Sequence, residues 1–316
     1  LSAGGLVNNA HPQQNLTEEF NRASTVITAG AWAAGNNMIT GRYWLGSAIQ
    51  GTQDAALGFG GYVTPGNTMF GETEEYNGTS WTEVGDLVLD RSGMSGAGTT
   101  TSALCIGGYV NAVGTKGETE EYNGTSWSEE GDLGTARYGG GGAGTQTAGL
   151  CMSGTHYAGP TGFVLKNETE EYNGASWREE ANVSTARYRV GGCGTQTAAL
   201  LFGGAEPAVS NKTEEYNGAS WATGGTLNAA RQQLAGGGSQ TAALAFGGGP
   251  PDSNLTEAYD GTSWSTRPNL GTARRALDGA GTQTAGLAFG GATNLQATEE
   301  FTGETSAANI VTVTTS

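Results

Sequence analysis

Thr119-Glu120-Glu121-Tyr122-Asn123-Gly124-Thr125-Ser126-Trp127 is the stretch that decides the architecture, because it does not stand alone. Near copies run from Thr73 to Trp81, Thr169 to Trp177, Thr213 to Trp221 and Thr256 to Trp264. A repeat of about forty-five residues along nearly the whole chain means that each unit is one supersecondary element. Such an element buries its apolar face only by stacking on its neighbours. Most residues that recur therefore serve the fold, and ligand recognition is sought where the repeat is interrupted.

Working outward from the quoted stretch, one unit reads as four strands. Arg137 to Gly144 is a glycine-rich first strand and Thr147 to Met152 a second, ending in Ser153-Gly154 where other units have Gly-Gly. Thr169 to Tyr172 is a third strand, and Ser176 to Glu179 begins a fourth. The Asn173-Gly174 pair between the last two predicts a two-residue type I′ hairpin, since both positions of that turn need positive φ. Four antiparallel strands repeated in tandem make a blade, and a ring of blades makes an all-β propeller. Glycine in the first strand suits the crowded central channel. Tyr76, Tyr122, Tyr172, Tyr216 and Tyr259, with Trp81, Trp127, Trp177, Trp221 and Trp264, are expected to wedge between blades. Each such ring contributes roughly 4–6 kcal/mol of gross hydrophobic gain.

Third strands are expected at Thr17, Thr73, Thr119, Thr169, Thr213, Thr256 and Thr298. The reading is one domain of seven blades, bounded near 1–41, 42–90, 91–136, 137–186, 187–230, 231–273 and 274–316, with six blades as the alternative. Leu1-Ser2-Ala3-Gly4-Gly5 matches Leu287 to Gly291, so the chain is expected to start inside a module. The ring would be closed by a strand upstream or by the tail around Asn309 to Thr314.

The Gly-Gly pair closing the second strand, followed by a Tyr and then a Trp (Gly203-Gly204, Tyr216 and Trp221), resembles the kelch repeat over almost the whole chain. That resemblance implies a β-propeller and leaves function open, because such propellers serve as binding modules, scaffolds and enzymes. The wording Gly-Thr-Gln-Thr-Ala-Ala-Leu and Thr-Glu-Glu-Tyr-Asn-Gly also resembles tandem kelch-like proteins of marine bacteriophage virions. This second resemblance implies a tail fibre or other appendage component.

Spacing separates scaffold from candidate site. Trp to the next Arg is ten residues in every unit, from Trp32–Arg42 to Trp264–Arg274, and Tyr to Trp is five in the regular units. The first module departs, with twelve residues between Phe20 and Trp32. Only the connection from second to third strand varies repeatedly: residues 155–168 are longest, then 6–16, 62–72 and 109–118, against 205–212, 249–255 and 292–297. In a propeller these connections share one face, and length variation on one face of a fixed scaffold marks a binding surface. They carry His11, Tyr62, Phe70, Tyr109, His156, Tyr157, Phe163 and Lys166, the candidate ligand-binding residues. Aromatic rings beside polar groups suit sugar faces or protein epitopes.

The repeated Glu-Glu is expected to be structural, since a catalytic carboxylate pair is needed once and not in every unit. One Glu per blade is expected to pair with a first-strand arginine among Arg91, Arg137, Arg187, Arg231 and Arg274, Glu120 with Arg137 or a neighbouring-blade arginine for example. Cys105, Cys151 and Cys193 read as small buried residues, without ligand-like spacing. With His11 and His156 as the whole histidine complement, a copper site of the galactose-oxidase type lacks ligands, and no Gly-x-Ser-x-Gly elbow is present. A two-acid glycosidase would have to draw on Asp54, Glu206 and Asp252, which break the repeat. No metal, cofactor or catalytic residue is expected.

The net charge of −16, with 14 Lys and Arg in 316 residues, disfavours nucleic acid and anionic membranes as partners. No apolar run approaches the roughly twenty residues that span a bilayer. The expectation is a non-enzymatic binding module on a virion surface or otherwise extracellular. It would recognise a host-surface glycan or protein through the second-to-third-strand connections, as part of a homo- or hetero-oligomer. The alternative is a self-assembling structural subunit that contacts other virion or fibre subunits.

Overall fold

The computed structural model describes residues 23–157, 159 and 162–310. Residues 30–303 form six four-stranded antiparallel blades. Counted from the channel outward, blade I is Gly46–Ser47, Ala56–Phe59, Thr73–Tyr76 and Trp81–Glu83. Blade II is Ser95–Thr99, Ser102–Val110, Gly114–Tyr122 and Trp127–Glu130. Blade III is Gly141–Thr145, Ala148–Tyr157, Phe163–Tyr172 and Trp177–Glu179. Blade IV is Gly191–Thr195, Ala198–Phe202, Thr213–Tyr216 and Trp221–Thr223, and blade V is Ala235–Ser239, Ala242–Phe246, Thr256–Tyr259 and Trp264–Arg267. Blade VI takes Asp278–Gly281, Ala285–Phe289 and Thr298–Thr302 from the end of the repeat array, and its outermost strand, Ala31–Ala34, from the beginning.

That composite blade corrects the expected seven to six. The strand Ala31–Ala34 of the first module completes the blade of the last, with Trp32 opposite Phe301 in register. The twelve-residue gap from Phe20 to Trp32 has no bearing on blade geometry: the partner of Trp32 is Phe301, with ring centroids 5.2 Å apart against 5.0–5.1 Å for the five Tyr–Trp pairs. The third strand expected at Thr17 lies outside the described residues. Separately, Ala23–Thr28 pairs antiparallel with Thr305–Ile310 as a two-stranded ribbon.

Each repeated residue has a junction to hold. The Trp indole N–H donates to the third-strand Thr hydroxyl of the preceding blade at all six junctions, from Trp32 to Thr256 (3.0 Å) through Trp264 to Thr213 (2.9 Å). The Tyr hydroxyl donates to the second Glu of the preceding blade: Tyr76 to Glu300, Tyr172 to Glu121, Tyr216 to Glu171 and Tyr259 to Glu215. Where blade VI has Phe301 in place of Tyr, blade V has Ala258 in place of Glu, so hydroxyl and carboxylate are lost together and no buried acceptor is orphaned. Tyr122 is the exception, its buried hydroxyl making no hydrogen bond.

The first Glu pairs with the arginine of its own blade, not the next. Glu120 meets Arg91 at 2.8 Å, Glu170 meets Arg137 at 3.1 Å, and the same holds for Arg42–Glu74, Arg187–Glu214, Arg231–Glu257 and Arg274–Glu299. The pairing stays within the blade because the same carboxylate also accepts the amide three residues before that arginine, as with Val88 N to Glu120 (2.7 Å) and Ser184 N to Glu214 (2.8 Å). This clamp explains the invariant ten residues from Trp to Arg: the connection entering each blade is tied to that blade's third strand.

The Gly-Gly pair works between blades. Both residues have positive φ, and the second donates its N–H to the carbonyl of the next blade's arginine, as Gly108 does to Arg137 (2.9 Å). A Cβ on Gly107 would come within 2.5 Å of that same carbonyl, and at the equivalent position of blade III Ser153 keeps a φ of 60° and turns the close approach into a bond, its hydroxyl donating to the Arg187 carbonyl at 2.6 Å. Asn-Gly does not form the expected two-residue turn. Tyr76 pairs with Trp81 across a four-residue loop, with positive φ at Gly78 and not at Asn77. The Asn77 side chain instead accepts the amides of Thr79 and Ser80, an Asx turn repeated by Asn123, Asn173 and Asn217 and by the Asp260 carboxylate.

Candidate functional site

Antiparallel order places the second-to-third-strand connections and the blade-to-blade connections on one face, around one mouth of the channel. Residues 109–118 and 155–168 are not loops there. The second and third strands of blades II and III continue through them as hairpins, past a bulge at Gly107 and at Ser153, to tips beyond Val110 and Tyr157. The two hairpins lean on each other, with Tyr157 N donating to Thr115 Oγ1 at 2.8 Å and His156 Nδ1 lying 3.3 Å from the same hydroxyl.

The structure brings three of the candidate residues together. Tyr109, Tyr157 and Phe163 form a cluster with Tyr138, with centroid distances of 5.3–6.2 Å. At its outer edge Val113, Phe163, Val164 and Tyr157 are 69, 59, 45 and 38% exposed. Tyr62 belongs to a second cluster, packed on Tyr43 (5.2 Å) and Trp44 (6.3 Å). Phe70 is half-buried apart from both. Lys166 is engaged with Glu168 at 3.2 Å, and His11 lies outside the described residues. The three pattern-breaking acids stand on separate blades. Asp54 accepts from Thr52, Glu206 pairs with Lys212, and Asp252 with Arg275 at 2.5 Å.

At the channel mouth the six blades are joined by a closed ring of backbone hydrogen bonds. Trp44 donates to Ala276, Ala276 to Gln233, Gln233 to Arg189, Arg189 to Gly139, Gly139 to Gly93 and Gly93 back to Trp44, at 2.5–2.9 Å. All six residues stand two places after a blade arginine, and all six have φ between 52° and 66°. This left-handed conformation costs a residue with a side chain about 1–2 kcal/mol. Gly93 and Gly139 avoid that cost, but Trp44, Arg189 and Gln233 put large side chains there and reach over the channel. Arg189 of blade IV places its guanidinium over the Trp44 ring of blade I, on the opposite side of the mouth (5.3 Å), and over Tyr188 (4.8 Å). These residues were not singled out by spacing. The available signal is that identity varies at this one position inside an otherwise rigid stretch.

Below the mouth lies a cavity of about 100 Å³, walled by glycine-rich first strands with Ser47, Ser95 and Asp278 among its polar groups. Toward the far end Gln50 of blade I bonds through its carboxamide to the Gly194 carbonyl of blade IV. Asp278 is the one acid of the channel wall among the described first strands, at a position held by Gly, Ser or Ala elsewhere. Burial pushes its carboxyl up to about 7, against the opposing effect of hydrogen bonds from Gly279 N and Ser47 Oγ. The Ser47 hydroxyl lies within reach of both Asp278 (2.9 Å) and the Gly279 carbonyl (2.8 Å), and its single proton serves one of them. A protonated Asp278 donates to Ser47 and frees that proton for Gly279, so all three are satisfied.

An acid whose folded pKa exceeds its unfolded value binds a proton more readily in the native state. Its contribution is complete below about pH 4 and is lost as pH rises through about 7. The loss is at most about 4 kcal/mol, lessened because Asp278 keeps some surface toward the lumen. Asp278→Asn is expected to match the parent at pH 4 and exceed it at pH 8 in urea unfolding; equal stability at both pH values would refute the assignment. No protein-family model matches the chain and none of the curated proteins is similar to it, so its placement as a six-bladed β-propeller rests on the blades themselves.

Proposed function

We propose that this chain is a non-enzymatic recognition module of a virion appendage or extracellular fibre, binding a host-surface glycan or protein through the face that carries the second-to-third-strand connections. The observation that supports this reading is the pair of extended hairpins on blades II and III. The Trp–Thr bond, the Glu–Arg clamp, the Gly-pair bond and the mouth ring recur in all six blades of a rigid scaffold, whereas these two hairpins carry exposed aromatic and aliphatic tips. A polar hairpin would be enough for closure of the blade. Apolar side chains kept in water, over a stacked aromatic base, suit an anchor that becomes buried on binding.

The enzyme alternative is weakened by the dispersal of Asp54, Glu206 and Asp252 over blades I, IV and V, each already bonded within its neighbourhood. Replacing Tyr157 and Phe163 by Ala is expected to reduce binding to host cells or to an arrayed glycan at least tenfold, as loss of two anchor rings would. The melting temperature should change little, since both tips are exposed. Undiminished binding by this double variant would sink the reading. If the chain instead serves as an assembly subunit, the same variant should lower its oligomeric state in sedimentation while cell binding stays unchanged.

A further inference from the structure

The channel mouth carries a second site, independent of the hairpin tips. Arg189 is a cation without an acid. The six blade arginines pair with glutamates, Arg178 pairs with Glu171 and Glu180, and Arg275 with Asp252, while Arg267, also without an acid, donates to the Thr266 carbonyl at 3.1 Å. Arg189 makes no ion pair and no side-chain hydrogen bond among the described residues, and its Nε is buried without a partner. This occurs in a chain of net charge −16, where acids are twice as numerous as bases. The guanidinium is nevertheless well held. Its backbone is locked by the mouth ring, and its central carbon lies over the rings of Trp44 and Tyr188, 5.3 and 4.8 Å from their centroids. With no protein acceptor among the described residues, the terminal N–H donors of the fork are left to meet a ligand.

We infer that the channel mouth binds a carboxylate, and that its occupant is a uronic acid residue of a glycan. A planar guanidinium whose edge is free and whose orientation is fixed beforehand matches a carboxylate in two parallel hydrogen bonds. A single cation suits one negative charge better than a doubly charged phosphate, which the surrounding acidic protein repels. The remaining groups favour a sugar. Ser47, Ser95 and the Asp278 carboxyl line the cavity under Arg189 and accept hydroxyl donors, and Trp44 and Tyr138 at the rim offer apolar ring surface to C–H faces. A uronate presents all three chemistries at once. Trp44 and Arg189 occupy strained backbone positions where glycine would be cheaper, and that cost is offset by holding this receptor in place.

Calorimetric titration of the whole chain with methyl glucuronide and with methyl glucoside tests the assignment. The glucuronide is expected to bind at least tenfold more tightly than its neutral counterpart. Arg189→Gln should reduce it to the level of the glucoside. Arg189→Lys, which keeps the charge and guards against misfolding as the explanation, should retain part of the gain. Val113→Ser, at the 69% exposed tip of the blade II hairpin and away from Tyr138, should leave glucuronide affinity unchanged, which separates this site from the hairpin reading. Equal affinity for the two sugars, or an Arg189→Gln variant that binds glucuronide as the parent does, overturns the proposal. Tighter binding of an acetylated glutamate peptide than of the glucuronide would overturn the sugar assignment in favour of an acidic protein segment.

Discussion

Arg187→Met is expected to lower the stability of the propeller by about 3–5 kcal/mol, because it leaves a buried carboxylate without its cation. Arg187 is fully buried, pairs with Glu214 at 2.8 Å, and donates to the carbonyls of Gly203 and Lys212 at 2.8 and 2.9 Å. Methionine fills a similar volume, so the loss reports the charge and the orphaned acceptors, not a cavity. For a domain of this size the change corresponds to a drop of about 5–9 °C in melting temperature. The second arm is Arg187→Met combined with Glu214→Leu. Removing both charges is expected to recover most of the loss, since an apolar pair no longer carries an uncompensated ion. A remaining deficit of about 2 kcal/mol is assigned to the Ser184 amide, which Glu214 accepts in the parent, and to the Gly203 carbonyl, which loses Arg187 in both variants. Thermal melts followed by circular dichroism decide the matter. A single variant as stable as the parent, or a double variant no better than the single, would show that the clamp is not the main term.

Trp32→Ala is expected to destabilise the ring by about 3–5 kcal/mol and to do so through blade VI. Trp32 donates to Thr256 of blade V at 3.0 Å and packs on Phe246 (5.1 Å) and Phe301 (5.2 Å). It belongs to the strand Ala31–Ala34, which completes the blade by pairing with Thr298–Thr302. The analogous change at Trp221, inside a continuous blade, removes a similar contact but does not unfasten the ring. Limited proteolysis separates the two: Trp32→Ala should open cleavage in the segment around 278–302 first, whereas Trp221→Ala should not. Identical cleavage patterns would show that the composite blade is no weaker a seam than the rest.

Much of the fold is legible without coordinates because the repeat is a record of interfaces. A Thr, a Tyr, a Trp and two acids recur at fixed spacing; the Trp–Thr bond forms at every junction, the Tyr–Glu bond at four, and the first Glu clamps the arginine of its own blade. The absence of both Tyr and Glu at one junction, Phe301 with Ala258, is itself written in the chain. Blade count was harder. Seven third-strand signals were read because strand pairing between Trp32 and Phe301 joins residues far apart in sequence, and no local pattern announces such a contact. Asn-Gly misled for a related reason: the dipeptide favours a tight turn locally, but the Asn carboxamide has two amides within reach and the loop opens to meet them. The hairpin extensions at 109–118 and 155–168 looked like loops because their alternation continues past a bulge that breaks the pattern.

The sequence by itself determined that this protein is a ring of four-stranded units, which residues recur, and which face varies in length. Those are consequences of local periodicity and of stacking, and both are written in spacing. The tertiary structure alone decided that the ring has six blades and closes with its own beginning. It also decided that each arginine is clamped within its blade, and that Trp44 and Arg189 meet across the mouth from opposite sides. These depend on which surfaces come together when the chain bends into a circle. The closing contacts are set by geometry around the whole ring and not by any stretch of residues along it.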